Sequence, residues 1–75
     1  MESLIFEIGL MRDSEEKDIL SKAYFDARKY VKEKDKDALK AITYRLNSVF
    51  PQMSRKAQNI SLALVQTITE ECEKI

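Results

Sequence analysis

Residues 14–34 read SEEKDILSKAYFDARKYVKEK, and their apolar side chains recur at steps of three and four residues. This spacing places them on one face of an α-helix. Asp13 or Ser14 can cap the start of the helix, and Glu16 stands three residues after Asp13, as in a capping box. Basic side chains follow in the last turn, where the helix dipole favours cations. The stretch therefore predicts one long amphipathic helix.

Similar signals continue towards the C-terminus. Asp35 can cap a helix that must end near Phe50, because Pro51 disfavours helical geometry in the residue before it. Ser54 can cap a last helix, whose apolar stripe is predicted to extend as far as Ile75. Two further helices are therefore expected after the long one.

The opening segment is dense in apolar residues and fits either a short helix or a strand. We predict a helix, because the rest of the chain offers a strand no partner. Short loops would make consecutive helices antiparallel neighbours. The predicted fold is all-α, a small antiparallel helical bundle in one domain over residues 1–75, with four helices at about 3–11, 14–34, 36–50 and 54–74.

Composition limits the chemistry that the chain can perform. Its 75 residues include one cysteine, Cys72, and no histidine, so an internal disulfide and the commonest metal ligand are both missing. Cys72 shares the apolar side of its helix with Ile68, which favours a core residue over a nucleophile. The adjacent acids of the pairs Glu15–Glu16 and Glu70–Glu71 point in different directions on a helix. We predict no enzyme activity, no catalytic or metal-binding residue and no cofactor.

The sequence also bears on location. Neither a basic-then-apolar leader nor an apolar run of about 18 residues is present. A single thiol suits a reducing compartment. We expect a cytoplasmic protein without membrane insertion.

Several surface features indicate a binding protein. Three apolar side chains fall outside the predicted stripes: Phe25, Tyr44 and Leu62. The C-terminal end adds an acidic cluster, Glu70, Glu71 and Glu73, where the helix dipole disfavours acids. These residues are candidates for contact with another protein, or with a second copy of the chain in a homodimer.

One stretch also imitates a helix-turn-helix. Residues 38–69 contain four basic residues and no acidic residue. The predicted last helix opens with possible base-reading side chains: Arg55, Lys56, Gln58 and Asn59. However, the turn contains Pro51 where such turns often have glycine, and 13 basic residues balance 13 acidic ones over the chain. Nucleic acid is therefore the disfavoured partner.

The order and spacing of four segments resemble those of a known protein family. The segments are LIFEI at residues 4–8, the stretch from Asp13 to Leu20, YVKEK at 30–34, and the stretch 38–46 ending in ITYRL. This arrangement over residues 4–50 resembles the enterocin A type of bacteriocin immunity proteins. The resemblance implies a cytosolic antiparallel four-helix bundle, not an enzyme, that protects a bacterium from its own pore-forming peptide. It implies action at the complex of that peptide with its membrane receptor.

In that family, recognition is associated with the C-terminal part and its tail, and no specificity residue is transferred to this chain. Two other functions stay open. One is a small regulatory or inhibitory adaptor protein, which would use the exposed apolar residues. The other is a helix-turn-helix-like DNA-binding regulator, which would use residues 54–59.

Overall fold

A computed structural model describes residues 2–75 of the chain. These residues form α1 (Glu2–Gly9), α2 (Glu15–Glu33), α3 (Lys36–Val49) and α4 (Arg55–Lys74). The all-α prediction of four helices is confirmed. A 3₁₀ turn at Phe50–Gln52, which was not predicted, joins α3 to α4 around Pro51.

Polar side chains mark the starts of the three longer helices. The Oγ atom of Ser14 accepts a hydrogen bond from the backbone N–H of Lys17 at 3.2 Å. Asp35 caps α3 through the N–H of Ala38, at 3.1 Å. Ser54 caps α4 in the same way. Each cap satisfies a backbone donor that the first helical turn leaves without a partner.

The predicted capping box is wrong in two respects. Ser14 alone is the N-cap of α2, whereas Asp13 forms an exposed ion pair with Lys17 at 3.2 Å. Glu16 does not bond back to its own helix start. Its carboxylate accepts hydrogen bonds from the backbone N–H and the hydroxyl of Ser54, at 2.7 and 2.8 Å. A side chain expected to act locally therefore joins two helices.

The helices pack as a three-helix core with α1 laid against one side. Helices α2, α3 and α4 all contact one another, and α1 contacts α2 and α4. Among residues 2–75, α1 does not contact α3. Because Glu16 and Ser54 bring the starts of α2 and α4 together, these two helices run parallel, with α1 and α3 antiparallel to them.

One apolar cluster fills the space between the helices. Its members are Leu4, Ile8, Met11, Leu20, Ala23, Tyr24, Ala27, Leu39, Ile42, Leu46, Met53, Ala57, Ile60, Leu64, Ile68 and Cys72. Every α-helix contributes to it, so residues 2–75 share one core. Ile75, which the stripe predicted to be buried, is 46% exposed because α4 ends at Lys74.

The end of α2 carries local backbone strain. Lys34 adopts a left-handed conformation with φ of 56°, which costs a non-glycine residue about 1–2 kcal/mol. The turn is closed by the N–H of Asp35, which donates to the carbonyl of Tyr30 at 2.9 Å. Glycine is the residue that this C-terminal motif usually places here.

Replacing Lys34 with glycine should therefore raise the free energy of unfolding by about 0.5–1 kcal/mol, measured by urea denaturation. Lys32→Gly is the matched control. Lys32 lies inside the helix, where glycine should lower the same quantity by about 1 kcal/mol. Equal losses in both variants would show that the Lys34 conformation is not strained.

Candidate protein-binding surface

The three off-stripe residues are exposed as predicted. The exposed fractions are 57% for Phe25, 78% for Tyr44 and 54% for Leu62. They lie on α2, α3 and α4 respectively. Their positions around these helices decide whether they can act together.

Phe25 has a packing contact within its own helix. Its ring meets the ring of Tyr24 edge to face, with the centroids 5.4 Å apart and the planes at 81°. Tyr24 is fully buried, and the Arg28 guanidinium lies 5.9 Å from its ring centroid. Phe25 thus covers the edge of a core residue, which explains its place on α2 without a binding partner.

A groove runs along the surface between α3 and α4. It has a volume of about 220 Å³ and is lined by Lys40, Thr43, Ile68, Thr69 and Cys72. Its apolar floor comes from Ile68 and Cys72, which are both buried.

Tyr44 and Leu62 do not line this groove, but helical spacing relates each of them to a residue that does. Tyr44 follows Thr43 by one residue and Lys40 by four, so it stands one turn along from Lys40 on the solvent side. Leu62 precedes Thr69 by seven residues, or about two turns, and therefore shares its stripe of α4. We call the surface of Lys40, Thr43, Tyr44, Leu62, Ile68 and Thr69 the α3–α4 face.

The α3–α4 face is apolar with a basic border. It lies within residues 38–69, which carry no acidic side chain. Lys40 is exposed beside the groove, and Arg55, also exposed, stands seven residues before Leu62 on the same side of α4. A partner with an apolar segment and an acidic group would match this surface.

The acidic C-terminal residues do not form one cluster. Glu70 and Glu73 are exposed, whereas Glu71 is half-buried and accepts a hydrogen bond from Lys74 at 3.5 Å. The role of these three acids in partner binding stays a prediction, with Glu71 less accessible than the other two. The Glu71 side chain turns towards the core side of α4, because it stands seven residues after the buried Leu64.

The four candidate base-reading residues do not converge on one surface. Arg55 and Lys56 are exposed, but Gln58 donates its side-chain N–H to the carbonyl of Phe50 at 3.0 Å. Asn59 and Lys56 both line a groove between α1 and α4, away from the side-chain contact of Gln58. The Glu16 carboxylate also occupies the start of α4, where a helix-turn-helix would approach DNA phosphates. These contacts count against a DNA-binding role.

Cys72 packs in the core with only 9% of its surface exposed, as its stripe predicted. The suggested carboxylate pairs have separate surroundings, since Glu15 is exposed while Glu16 bonds to Ser54. Over residues 2–75, no group of three or more metal-ligating side chains is placed to hold a metal ion. No helix in this part of the chain combines the length and the apolar character needed to span a bilayer.

Two exposed residues on α1 were missed by the sequence reasoning. Phe6 is 73% exposed and Leu10 is 68% exposed. The signal was present in the spacing, since these residues stand four apart and opposite Ile8 on a helix. Because the segment is dense in apolar residues, the prediction did not separate Phe6 and Leu10 from the buried stripe.

Comparisons of the chain with protein-family models, with curated proteins and with solved structures found no match. The functional argument therefore depends on the residues of this chain.

Proposed function

We propose that the chain is a non-catalytic helical protein that binds another protein through the α3–α4 face, and that it serves as an intracellular bacteriocin immunity protein. The observation that carries the binding proposal is the exposed ring of Tyr44 on α3, one residue after Thr43, which lines a groove with an apolar floor. Tyrosine is enriched at the centres of protein interfaces, where it buries a large area with few rotatable bonds.

The side chains of the α3–α4 face indicate which kind of partner it would bind. Leu62 and the groove floor suit an apolar side chain, and Lys40 suits a carboxylate at its edge. The hydroxyl of Tyr44 adds one polar contact at the border of the apolar surface. The partner is therefore a protein segment with apolar anchors and a flanking acidic residue.

Two observations support the immunity role. The chain has the four helices that the resemblance over residues 4–50 implies. The α3–α4 face also draws Leu62, Ile68 and Thr69 from the C-terminal helix, and recognition in that family is associated with the C-terminal part. In this role the partner is the complex of a pore-forming peptide with its membrane receptor.

The test is expression of the chain in a bacterium sensitive to a pore-forming peptide encoded beside its gene. We expect the wild type to protect the cells, and the double variant Tyr44→Ala, Leu62→Ser to lose protection while keeping nearly the same unfolding midpoint. Both side chains are exposed, so their loss should change stability by only about 0.5 kcal/mol each.

Phe25→Ser is the matched control, because Phe25 is equally exposed but lies on another helix. It should protect as well as the wild type. Full protection by the Tyr44, Leu62 variant would refute the α3–α4 face as the recognition surface. No protection by the wild type would refute the immunity role and leave the adaptor function as the better hypothesis.

A further inference from the structure

We propose that the outer face of α1 is a homodimer interface, in which Phe6 and Leu10 of two copies pack against each other around a two-fold axis. This surface is separate from the α3–α4 face, so the proposal does not rest on the proposed function.

Helix α1 is apolar on two opposite faces. Leu4 and Ile8 point into the core, with 6% and 1% of their surfaces exposed. Phe6 lies on the outer side with 73% exposed, and Leu10, one turn later and just past the end of the helix, is 68% exposed. A surface helix normally presents polar residues to water. Phe6 and Leu10 instead form an exposed apolar pair that a second copy can cover.

Charged residues stand beside this apolar pair. A groove of about 260 Å³ between α1 and α4 is lined by Glu7, Leu10, Lys56, Asn59 and Ile60. Glu7 comes from α1 and Lys56 from α4, so an acid and a base border Leu10 from two helices. Between these two residues there is no ion pair within 4.0 Å, which leaves both charges available to a partner.

This arrangement is complementary to itself. A two-fold axis across the middle of α1 makes the two α1 helices antiparallel and keeps α4 of both copies on the same side. Phe6 of one copy then lies opposite Leu10 of the other. Because Lys56 lies near the level of Leu10, the same rotation brings Glu7 of each copy towards Lys56 of the other. Opposite charges across the interface would fix this register.

A chain of this size buries only about 60% of the surface of its unfolded state, so its core is marginal. Self-association is also a usual way to stabilise a domain of this size that has no disulfide. A second copy would thus cover the exposed apolar side chains and add buried surface to a domain with a small core.

Sedimentation equilibrium of the full chain, from micromolar to near-millimolar concentration, tests the proposal. We expect the mass to rise with concentration from 8.7 kDa to twice that value. The variant Phe6→Ser, Leu10→Ser should raise the dissociation constant about a hundredfold. Its unfolding at low concentration should match that of the wild-type monomer, since both side chains are exposed. A wild type that stays monomeric throughout would overturn the proposal.

A charge exchange tests the antiparallel register. Lys56→Glu should weaken the dimer about tenfold, because it places two acids opposite each other, and adding Glu7→Lys should restore it. Failure of the double variant to recover would overturn the proposed pairing. The variant Tyr44→Ala, Leu62→Ser should dimerise like the wild type, and loss of its dimer would place the interface on the α3–α4 face instead. Toxin protection plays no part in these measurements, so this proposal and the immunity role can fail independently.

Discussion

Ile8→Ala should lower the free energy of unfolding by roughly 2–4 kcal/mol. Ile8 is 1% exposed and belongs to the core cluster, although α1 has only eight residues and contacts only α2 and α4. Truncation removes buried apolar surface and leaves a cavity that the neighbouring helices can close only partly. For a domain of this size, whose total stability is on the order of 4–11 kcal/mol, the loss is a large fraction.

Phe6→Ala is the matched control, since Phe6 lies two residues away on the opposite face of the same helix. At low micromolar concentration, where dimerisation contributes little, it should change stability by no more than about 0.5 kcal/mol. Urea denaturation of both variants measures the difference. Similar small effects at both positions would mean that α1 does not dock on α2 and α4 as described.

Glu16→Ala should cost about 2 kcal/mol, the second largest effect that we expect. The carboxylate accepts two hydrogen bonds from Ser54, at 2.7 and 2.8 Å, and hydrogen bonds to a charged group are stronger than neutral ones. The first turn of α4 contains no acid of its own and begins with Arg55 and Lys56. Glu16 therefore supplies the negative charge that a helix N-terminus favours.

Glu15→Ala provides the control, because Glu15 is also an acid in the first turn of α2 but is exposed. It should change the free energy of unfolding by about 0.5 kcal/mol or less. A double-mutant cycle of Glu16→Ala with Ser54→Ala should give a coupling of about 1 kcal/mol or more. Additive effects would mean that Glu16 and Ser54 do not interact in solution.

Local sequence was sufficient to predict the helices. Ser14, Asp35 and Ser54 were readable as caps because a cap acts on backbone groups within three residues. Pro51 marked the region where α3 ends, although Phe50 before it keeps helical backbone angles, φ −53° and ψ −46°, and begins the 3₁₀ turn. The exposure of Phe25, Tyr44 and Leu62 followed from helical spacing alone.

The candidate site was only partly predictable. Helical spacing identifies which residues lie outside the apolar stripe of a helix. It does not give the rotation of neighbouring helices relative to one another. Whether Tyr44, Leu62 and Phe25 share one surface depends on that rotation. The half-burial of Glu71, by contrast, was readable from its spacing of seven residues after Leu64.

The tertiary structure decided the contacts that cross between helices. Glu16 has the sequence of a capping-box residue, yet it bonds to Ser54, 38 positions later. In and just after α1, the apolar residues were dense enough that the inner and outer faces were not separated until α2 and α4 were seen to cover one of them. The local sequence determined where helices begin and end, because those signals act within a turn. Which faces became core or surface was decided by packing, because that choice depends on residues distant along the chain.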